Sequence, residues 1–216
     1  MSMPFYVPPE QLVKDRAEFA RKGIARGRAI AAVQYDAGIL LLAENPSTTL
    51  HKVAEIYDRI AFAGVGRYNE FESLRVAGIR HADLKGYLYG RTDVQAKALA
   101  NAFAQTLGNI FTHEVKPWEV EVLVAELGLD AEGDRLYRIA YDGTLVEERH
   151  VAAIGGPAEE LVGALREAFE PGRGLDATVE MASGVFASVT EREIESWEAA
   201  VLERGADRRT FRRLAL

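Results

Sequence analysis

The order in which helical and strand-like patterns follow one another is the strongest constraint on how this chain folds. The spacing of apolar residues predicts one helix, four strands, two helices, three strands, two helices and a last strand. A parallel sheet would need strict alternation of strands and helices, which this order lacks. Two antiparallel sheets with helix pairs on both outer faces would bury every apolar stripe. The sequence therefore predicts an α+β fold.

Helices are predicted where apolar residues recur every three or four positions. The first covers residues 9–24, because a proline at the first position loses no hydrogen bond, and Val13, Ala17, Ala20 and Ile24 fall on one face, which we expect neighbouring copies to cover in part. A long helix over residues 68–89 has the inner face Phe71, Leu74, Gly78 and Ala82. We predict Asp93 as the cap of the next helix, whose stripe is Leu99, Phe103, Leu107 and Ile110. Further helices are predicted after Pro157 and over residues 175–189, with a helical turn over 208–214.

Strands are predicted where apolar residues alternate or form short runs between turn residues. The first four cover residues 29–35, 39–43, 51–55 and 60–65. Alternating valines predict another at residues 120–124. Residues 136–141 and 145–153 are predicted to form a hairpin around Asp142-Gly143, and residues 195–203 the last strand.

Composition excludes several classes of function. The chain has 216 residues, enough for one domain, and 48% of them are hydrophobic. A net charge of −7 argues against nucleic-acid binding, which depends on neutralising phosphates. The absence of cysteine removes disulfides and thiolate chemistry. No apolar run is long enough to span a membrane, and the N-terminus lacks the pattern of a secretory signal. We therefore expect a cytoplasmic protein.

Six short segments, taken in their order and spacing, resemble the α subunits of proteasomes, most of all the actinobacterial kind. They are residues 9–11 (PEQ), 21–26 (RKGIAR), 43–47 (AENPS), 57–59 (YDR), 69–71 (NEF) and 104–108 (AQTLG). The resemblance covers essentially the whole chain and is strongest over residues 9–112. Residues 170–196 match the family less well.

This resemblance implies a four-layer α-β-β-α sandwich of the amino-terminal-nucleophile hydrolase type, with residues 1–216 as one domain. It also implies a ring of seven identical subunits that caps the catalytic β subunits of a bacterial 20S proteasome. The other implied partners are a hexameric AAA ATPase and unfolded protein substrates that carry a small ubiquitin-like tag. Neither a cofactor nor a metal is expected.

The start of the first strand bears on catalysis. In catalytic proteasome subunits this strand begins with a free threonine that acts as the nucleophile. The matching position here is Ala29, and 28 residues precede it. Alanine has no nucleophilic atom, and a residue inside the chain has no free amine to act as a base. We therefore expect no catalytic residue and a non-catalytic α-type subunit.

Pockets between neighbouring α subunits of the family receive the C-terminal tails of the ATPase, and five residues match this site. Lys52 matches the pocket lysine, whose ammonium can pair with a terminal carboxylate. Glu18 matches a glutamate that faces the pocket lysine of a neighbour; alternatively it is a solvated helical residue. Arg26 either adds positive charge to the pocket or only interacts with the dipole at the C-terminal end of the helix. Gly66 and Arg67 are expected to form a wall, since glycine allows close approach of a peptide.

Residues 1–8 are expected to gate the axial pore of the ring. The gate residues are Met3, Pro4, Phe5, Tyr6 and Val7. This segment is too apolar to be a free polar tail, so we expect it to converge with its ring mates over the pore. The tyrosine-aspartate and proline-aspartate-glycine pattern of archaeal and eukaryotic gates is absent.

Two other functions are considered. An active hydrolase of the same fold would need processing that exposes Thr, Ser or Cys at the start of a strand, and Ala29 argues against it. A nucleotide-binding protein is suggested by Gly64-Val65-Gly66, but Asn69 stands at the third glycine position and no βαβ unit follows. The histidines, at positions 51, 81, 113 and 150, show no metal-ligand spacing.

Overall fold

The computed structural model describes residues 8–205 and 209–216, and these form five α-helices and ten β-strands. The helices are α1 (Pro9–Ala25), α2 (Tyr68–Leu88), α3 (Ala96–His113), α4 (Ala158–Ala168) and α5 (Leu175–Thr190). The strands are β1 (Ile30–Tyr35), β2 (Gly38–Glu44), β3 (Val53–Tyr57), β4 (Ile60–Gly66), β5 (Val120–Glu126), β6 (Arg135–Ile139), β7 (Leu145–Glu148), β8 (Val151–Ile154), β9 (Trp197–Glu203) and β10 (Phe211–Leu214).

The strands make two five-stranded sheets in which all neighbours are antiparallel. The first sheet has the order β10-β9-β2-β1-β8 and the second the order β3-β4-β5-β6-β7. In the first sheet β2 lies between β1 and β9, so Leu41 faces Ala32 on one side and Ala200 on the other. Every residue of β1 and β2 is buried, because both faces of this sheet are covered.

Three apolar layers separate the sheets and helices. Leu41 belongs to the core between the two sheets, whereas its neighbour Leu40 points to the opposite face and packs with Phe186 under α4 and α5. On the outer face of the second sheet, Phe62 and Phe103 meet edge to face, with 5.8 Å between ring centroids, under α2 and α3. The result is the predicted four-layer α-β-β-α sandwich, which is confirmed.

The four sheet edges are short or irregular. The first sheet ends in β8 and β10, which have four residues each. The second sheet ends in β7, also of four residues, and in β3, whose pairing with β4 shifts register between Glu55 and Tyr57. Charged side chains lie on these edges, among them Glu147 in β7 and Arg212 in β10.

The predicted helical turn at residues 208–214 is wrong. Within this stretch the structure describes β10, which pairs with β9 so that Phe211 faces Leu202. Phe211 is buried in the core between the sheets. On β9, Glu203 forms a salt bridge with Arg212 and Glu198 forms one with Arg213. These partners lie on another strand, so the pattern within residues 208–214 alone did not reveal the strand.

The predicted hairpin after residue 136 is correct only in its first part. Its second arm divides into β7 in the second sheet and β8 in the first sheet. Between them His150 has a φ of 64°, a left-handed conformation that redirects the chain. The strand β8 then pairs with β1, opposite Ile30 to Val33, where all four of its residues are buried.

The cap predicted for α3 is also wrong. Asp93 lies in a 3₁₀ helix, Arg91–Asp93, and the residue preceding α3 is Gln95, whose side chain makes no capping bond. The Ala96 amide instead donates to the carboxylate of Glu126 on β5, at 2.9 Å. A carboxylate from another element thus satisfies one of the free amides at the helix start.

Two glycine substitutions test the packing of the first sheet. A Cβ on Gly38 would run into the carbonyl oxygen of Leu202, whereas a Cβ on Gly163, in the exposed middle of α4, meets nothing within 4 Å. We expect Gly38→Ala to lower the free energy of unfolding by about 1–3 kcal/mol. Gly163→Ala should raise it by about 0.5–1 kcal/mol. Urea unfolding measures both, and a neutral Gly38→Ala would contradict this packing.

Candidate functional site

The C-terminal end of α1 rests on the ends of β4 and β5. Of the four residues predicted to share a face of α1, Ala20 and Ile24 are buried within the subunit, whereas Val13 is exposed. Gly27 follows the helix and lies close to the backbone of Gly66 at the end of β4. This contact brings the loop after α1 to the point where β1 begins, and the predicted pocket residues can be located relative to it.

Lys52 reaches that loop from the start of β3. Its ammonium donates to the carbonyl oxygens of Arg28 and Glu44, both at 3.1 Å. Burial lowers the pKa of Lys52 to about 8; the charge of Glu198 opposes this shift and that of Arg28 adds to it. An ammonium has three protons, so two carbonyl partners leave one donor for a ligand.

A cluster of arginines surrounds a buried carboxylate beside Lys52. Glu44, only 4% exposed, accepts from Arg28 and from both terminal nitrogens of Arg192, one of them at 2.7 Å. Arg26 lines the same cleft, together with Thr190. The cleft therefore holds three guanidinium groups and one carboxylate, an excess of positive charge. The sequence did not point to Arg28 or Arg192 as site residues, and Glu44 was recognised only as part of the segment 43–47.

Gly66 and Arg67 have partners within their own subunit. Gly66 has a φ of 108°, and a Cβ there would overlap the carbonyl oxygen of Glu119, so the backbone itself requires glycine. The Arg67 amide donates to that carbonyl at 3.0 Å, and its guanidinium pairs with the Glu119 carboxylate. Lys116 pairs with the same carboxylate at 3.1 Å. Gly66 therefore adjoins the loop that Lys52 reaches, whereas Arg67 belongs to a separate ionic cluster.

Glu18 is an exposed residue of α1 that pairs with Lys22 at 2.6 Å. The hydrogen bond and charge of Lys22 lower the pKa of Glu18. It lies eight residues before Arg26, which is about 12 Å along a helix. The described contacts do not join Glu18 to Lys52 of the same subunit, so the predicted pairing requires a second copy.

Helix α1 carries three large apolar residues that the described part of the subunit leaves exposed. Leu12 is 51% exposed, Val13 52% and Phe19 45%. The stripe of α3 offers no such surface, because Leu99 and Phe103 are buried against their own sheet. The end of α2, with Leu84 and Tyr87, is the other exposed apolar helix surface among the described residues.

Ala29 is 3% exposed and immediately precedes β1. Its carbonyl accepts from the Glu44 amide at 3.3 Å, so it is part of the continuous sheet backbone. The predicted gate residues, Met3 to Val7, lie outside the described residues. In the described part of the chain, no helix is long and apolar enough to cross a membrane, and no group of three or more potential metal ligands comes together.

The charge of Arg28 supplies a test of the geometry around Lys52. We expect Arg28→Gln to raise the pKa of Lys52 from about 8 by a fraction of a unit, because the larger cause, burial, remains. The pH dependence of Lys52 modification by an amine-reactive reagent, read by mass spectrometry, measures this pKa. Arg26→Gln is the matched control and should leave it unchanged. A Lys52 that titrates near 10.5 in the unsubstituted chain would contradict the burial of its ammonium.

Comparison with known proteins agrees with this architecture. The family model described as proteasome subunit matches residues 24–203. The chain is 55% identical over 221 residues to the proteasome subunit alpha of Sanguibacter keddieii, an alignment that covers 100% of the chain and 87% of that relative. It is 54% identical to the proteasome subunit alpha of Thermomonospora curvata, over 99% of the chain and 94% of the relative. For the same subunit of Thermobifida fusca the identity is 53%, over 99% and 88%. The chain therefore belongs to the proteasome subunit family, and its likeness to the alpha subunits extends along its whole length.

Proposed function

We propose that this chain is a non-catalytic α-ring subunit of a bacterial 20S proteasome, which caps the catalytic β rings. The observation that carries the proposal is the whole-length similarity to proteasome alpha subunits together with Ala29 immediately before β1. A buried alanine offers no hydroxyl or thiol to attack a peptide bond. The alternative, an active hydrolase of the same fold, has no support from the residues around Ala29.

The exposed side of α1 supports assembly into a homo-ring of seven copies. Leu12 and Phe19 lie on one side of the helix, and Val13 is exposed at the start of the side that further along packs Ala20 and Ile24 on the subunit. Apolar residues exposed together on one face mark an interaction surface. A neighbouring copy that covers this face would also bring its own Lys52 towards Glu18, the arrangement expected for the tail pocket.

The cleft beside Lys52 supports the docking of a C-terminal carboxylate from a hexameric AAA ATPase. Lys52 keeps one donor free, and Arg26 and Arg28 add positive charge. In this proposal Glu18 of a neighbouring copy neutralises Lys52 when no tail is bound, and the tail carboxylate replaces it. Removing one partner of a buried, hydrogen-bonded charge pair costs about 2–5 kcal/mol, whereas an exposed pair contributes about 1 kcal/mol at most.

Substrate entry completes the proposal. Residues 1–8 form the gate, and the particle degrades unfolded proteins that carry a small ubiquitin-like tag and that the ATPase delivers. Deletion of residues 1–7 should accelerate degradation of an unfolded protein by the assembled particle, with a smaller effect on short peptides. If protein degradation does not respond, these residues are not a gate.

The central experiment combines particle size with activity. The chain alone should not hydrolyse fluorogenic peptides, whereas a particle assembled with a catalytic β subunit should do so and should contain seven copies per ring. Size-exclusion chromatography with light scattering measures the assembly. Val13→Asp tests the contact between copies directly: it should weaken ring formation, because a charge buried at an interface is costly. Peptide hydrolysis by the chain alone, blocked by a threonine-directed inhibitor, would refute the proposal.

Tail docking predicts a specific role for Lys52. Lys52→Ala should weaken binding of an N-acetylated peptide that copies the ATPase C-terminus by at least about tenfold, on rings that still assemble. Lys97→Ala, which removes an exposed lysine of α3, is the matched control and should have no effect. Equal affinity of the wild type and Lys52→Ala would exclude Lys52 from the site.

The pKa of Lys52 predicts how docking depends on pH. The side-chain amine of Lys52 is protonated below its pKa, which is about 8 in the single subunit and which Glu18 of a neighbouring copy would raise in the ring. Binding should therefore be strongest at low pH and weaken as the pH rises through this pKa, by at most about tenfold between pH 7 and pH 9. Lys52→Arg keeps its charge throughout this range, so its binding should show no such fall. A fall of the same size in Lys52→Arg would assign the titration to another group.

A further inference from the structure

Glu198, on β9, accepts hydrogen bonds from the backbone at Lys52 and from side chains that hold the neighbouring residues. Its side chain is 8% exposed, and its carboxylate accepts from the amides of Lys52 at 2.8 Å and Val53 at 3.2 Å. Asn45 and Arg213 donate to the same carboxylate at 2.7 Å and 2.8 Å. One side chain of the first sheet thereby fixes the first residues of β3, an edge strand of the second sheet.

The other members of this group hold the chain between β2 and β3. Asn45 also donates to the carbonyl oxygen of Leu50 at 2.8 Å, which closes the loop that precedes Lys52. Arg213, on β10, also donates to the carbonyl oxygen of Val53 at 2.8 Å. Residues on both sides of Lys52 are therefore fixed by donors and acceptors gathered around Glu198.

The chemistry of Glu198 suits this task. Burial alone would raise its pKa, but the hydrogen bonds from Lys52, Arg213, Asn45 and Val53 lower the pKa overall. A buried carboxylate is stable only when its acceptor sites are filled, and here they are. With the Lys52 amide held on one side, the lysine side chain extends to the Arg28 and Glu44 carbonyls on the other.

We propose that Glu198 is a positioning residue, which fixes the backbone at Lys52 and so directs its ammonium into the cleft beside Arg28. This inference rests on the proposed docking of a carboxylate at Lys52. Glu198 itself does not touch the ligand. Glu198 acts through the two backbone amides that donate hydrogen bonds to its carboxylate. Loss of this carboxylate should therefore displace the Lys52 ammonium without removing it.

The test compares Glu198→Gln with Glu203→Gln, a matched change on the same strand whose side chain pairs outward with Arg212. A glutamine would place an NH2 group, itself a donor, against groups that donate to the Glu198 carboxylate. Hydrogen bonds to the amides of Lys52 and Val53 would then be lost, so Glu198→Gln should speed hydrogen exchange at these amides. Affinity of assembled rings for the acetylated tail peptide should fall by about tenfold. The pH at which binding is lost should rise from about 8, because solvation of the released ammonium removes burial, the largest cause of the low pKa of Lys52. Loss of the Glu198 charge alone, with the ammonium still buried, would lower this pH instead. Glu203→Gln should change none of these.

Two outcomes would overturn the inference. One is a Glu198→Gln ring that only melts at a lower temperature, with tail affinity and pH midpoint unchanged. The other is unchanged hydrogen exchange at Lys52 and Val53. If Glu198→Gln rings do not assemble, Arg213→Gln, with Arg212→Gln as its control, decides by the same three measurements. If Lys52→Ala itself binds the tail normally, the docking proposal fails, whereas the exchange rates still decide whether Glu198 fixes this backbone.

Discussion

The burial of β1 and β2 on both faces is the constraint on which the rest of the structure depends. Strands without a polar face cannot lie at a surface, so each side of their sheet needs an apolar cover. The second sheet covers one side and α4 with α5 the other. Polar chemistry is thereby confined to the ends of the strands. The cleft beside Lys52 lies at such an end, where β1 begins and β2 finishes.

Local patterns predicted the elements that depend on local contacts. The periodicity of α1 and α2 is contained in a few consecutive turns, and Ala20 and Phe71 are buried as predicted, although Val13 at the start of α1 is exposed. The errors lie where a partner in another element decides. The strand β10 forms because β9 offers an open edge and two carboxylates, and β8 separates from β7 to pair with β1. The start of α3 is capped by Glu126, 30 residues away.

The candidate site, too, combines residues that the sequence predicted with residues that only the fold brings together. Motifs pointed to Lys52 and Arg26, and the structure puts both beside the loop after α1. They did not reveal Arg192, which meets Glu44 from 148 residues further along the chain. Nor did they reveal Glu198, because only the pairing of β2 with β9 brings it to the start of β3. Gly66 was predicted as a pocket wall, whereas its backbone supplies a sufficient reason for glycine.

The short and irregular sheet edges have a consequence for how copies associate. Unpaired edge strands invite hydrogen bonding between molecules, which extends sheets without limit into fibres. Here a register shift in β3, the brevity of β7 and β8, and the charges of β10 oppose such growth. The helix faces, such as the exposed apolar residues of α1, are then the surfaces left for contact between copies. A contact that repeats at one fixed angle gives a closed ring only when the rotation divides a full turn, and an open helical filament otherwise.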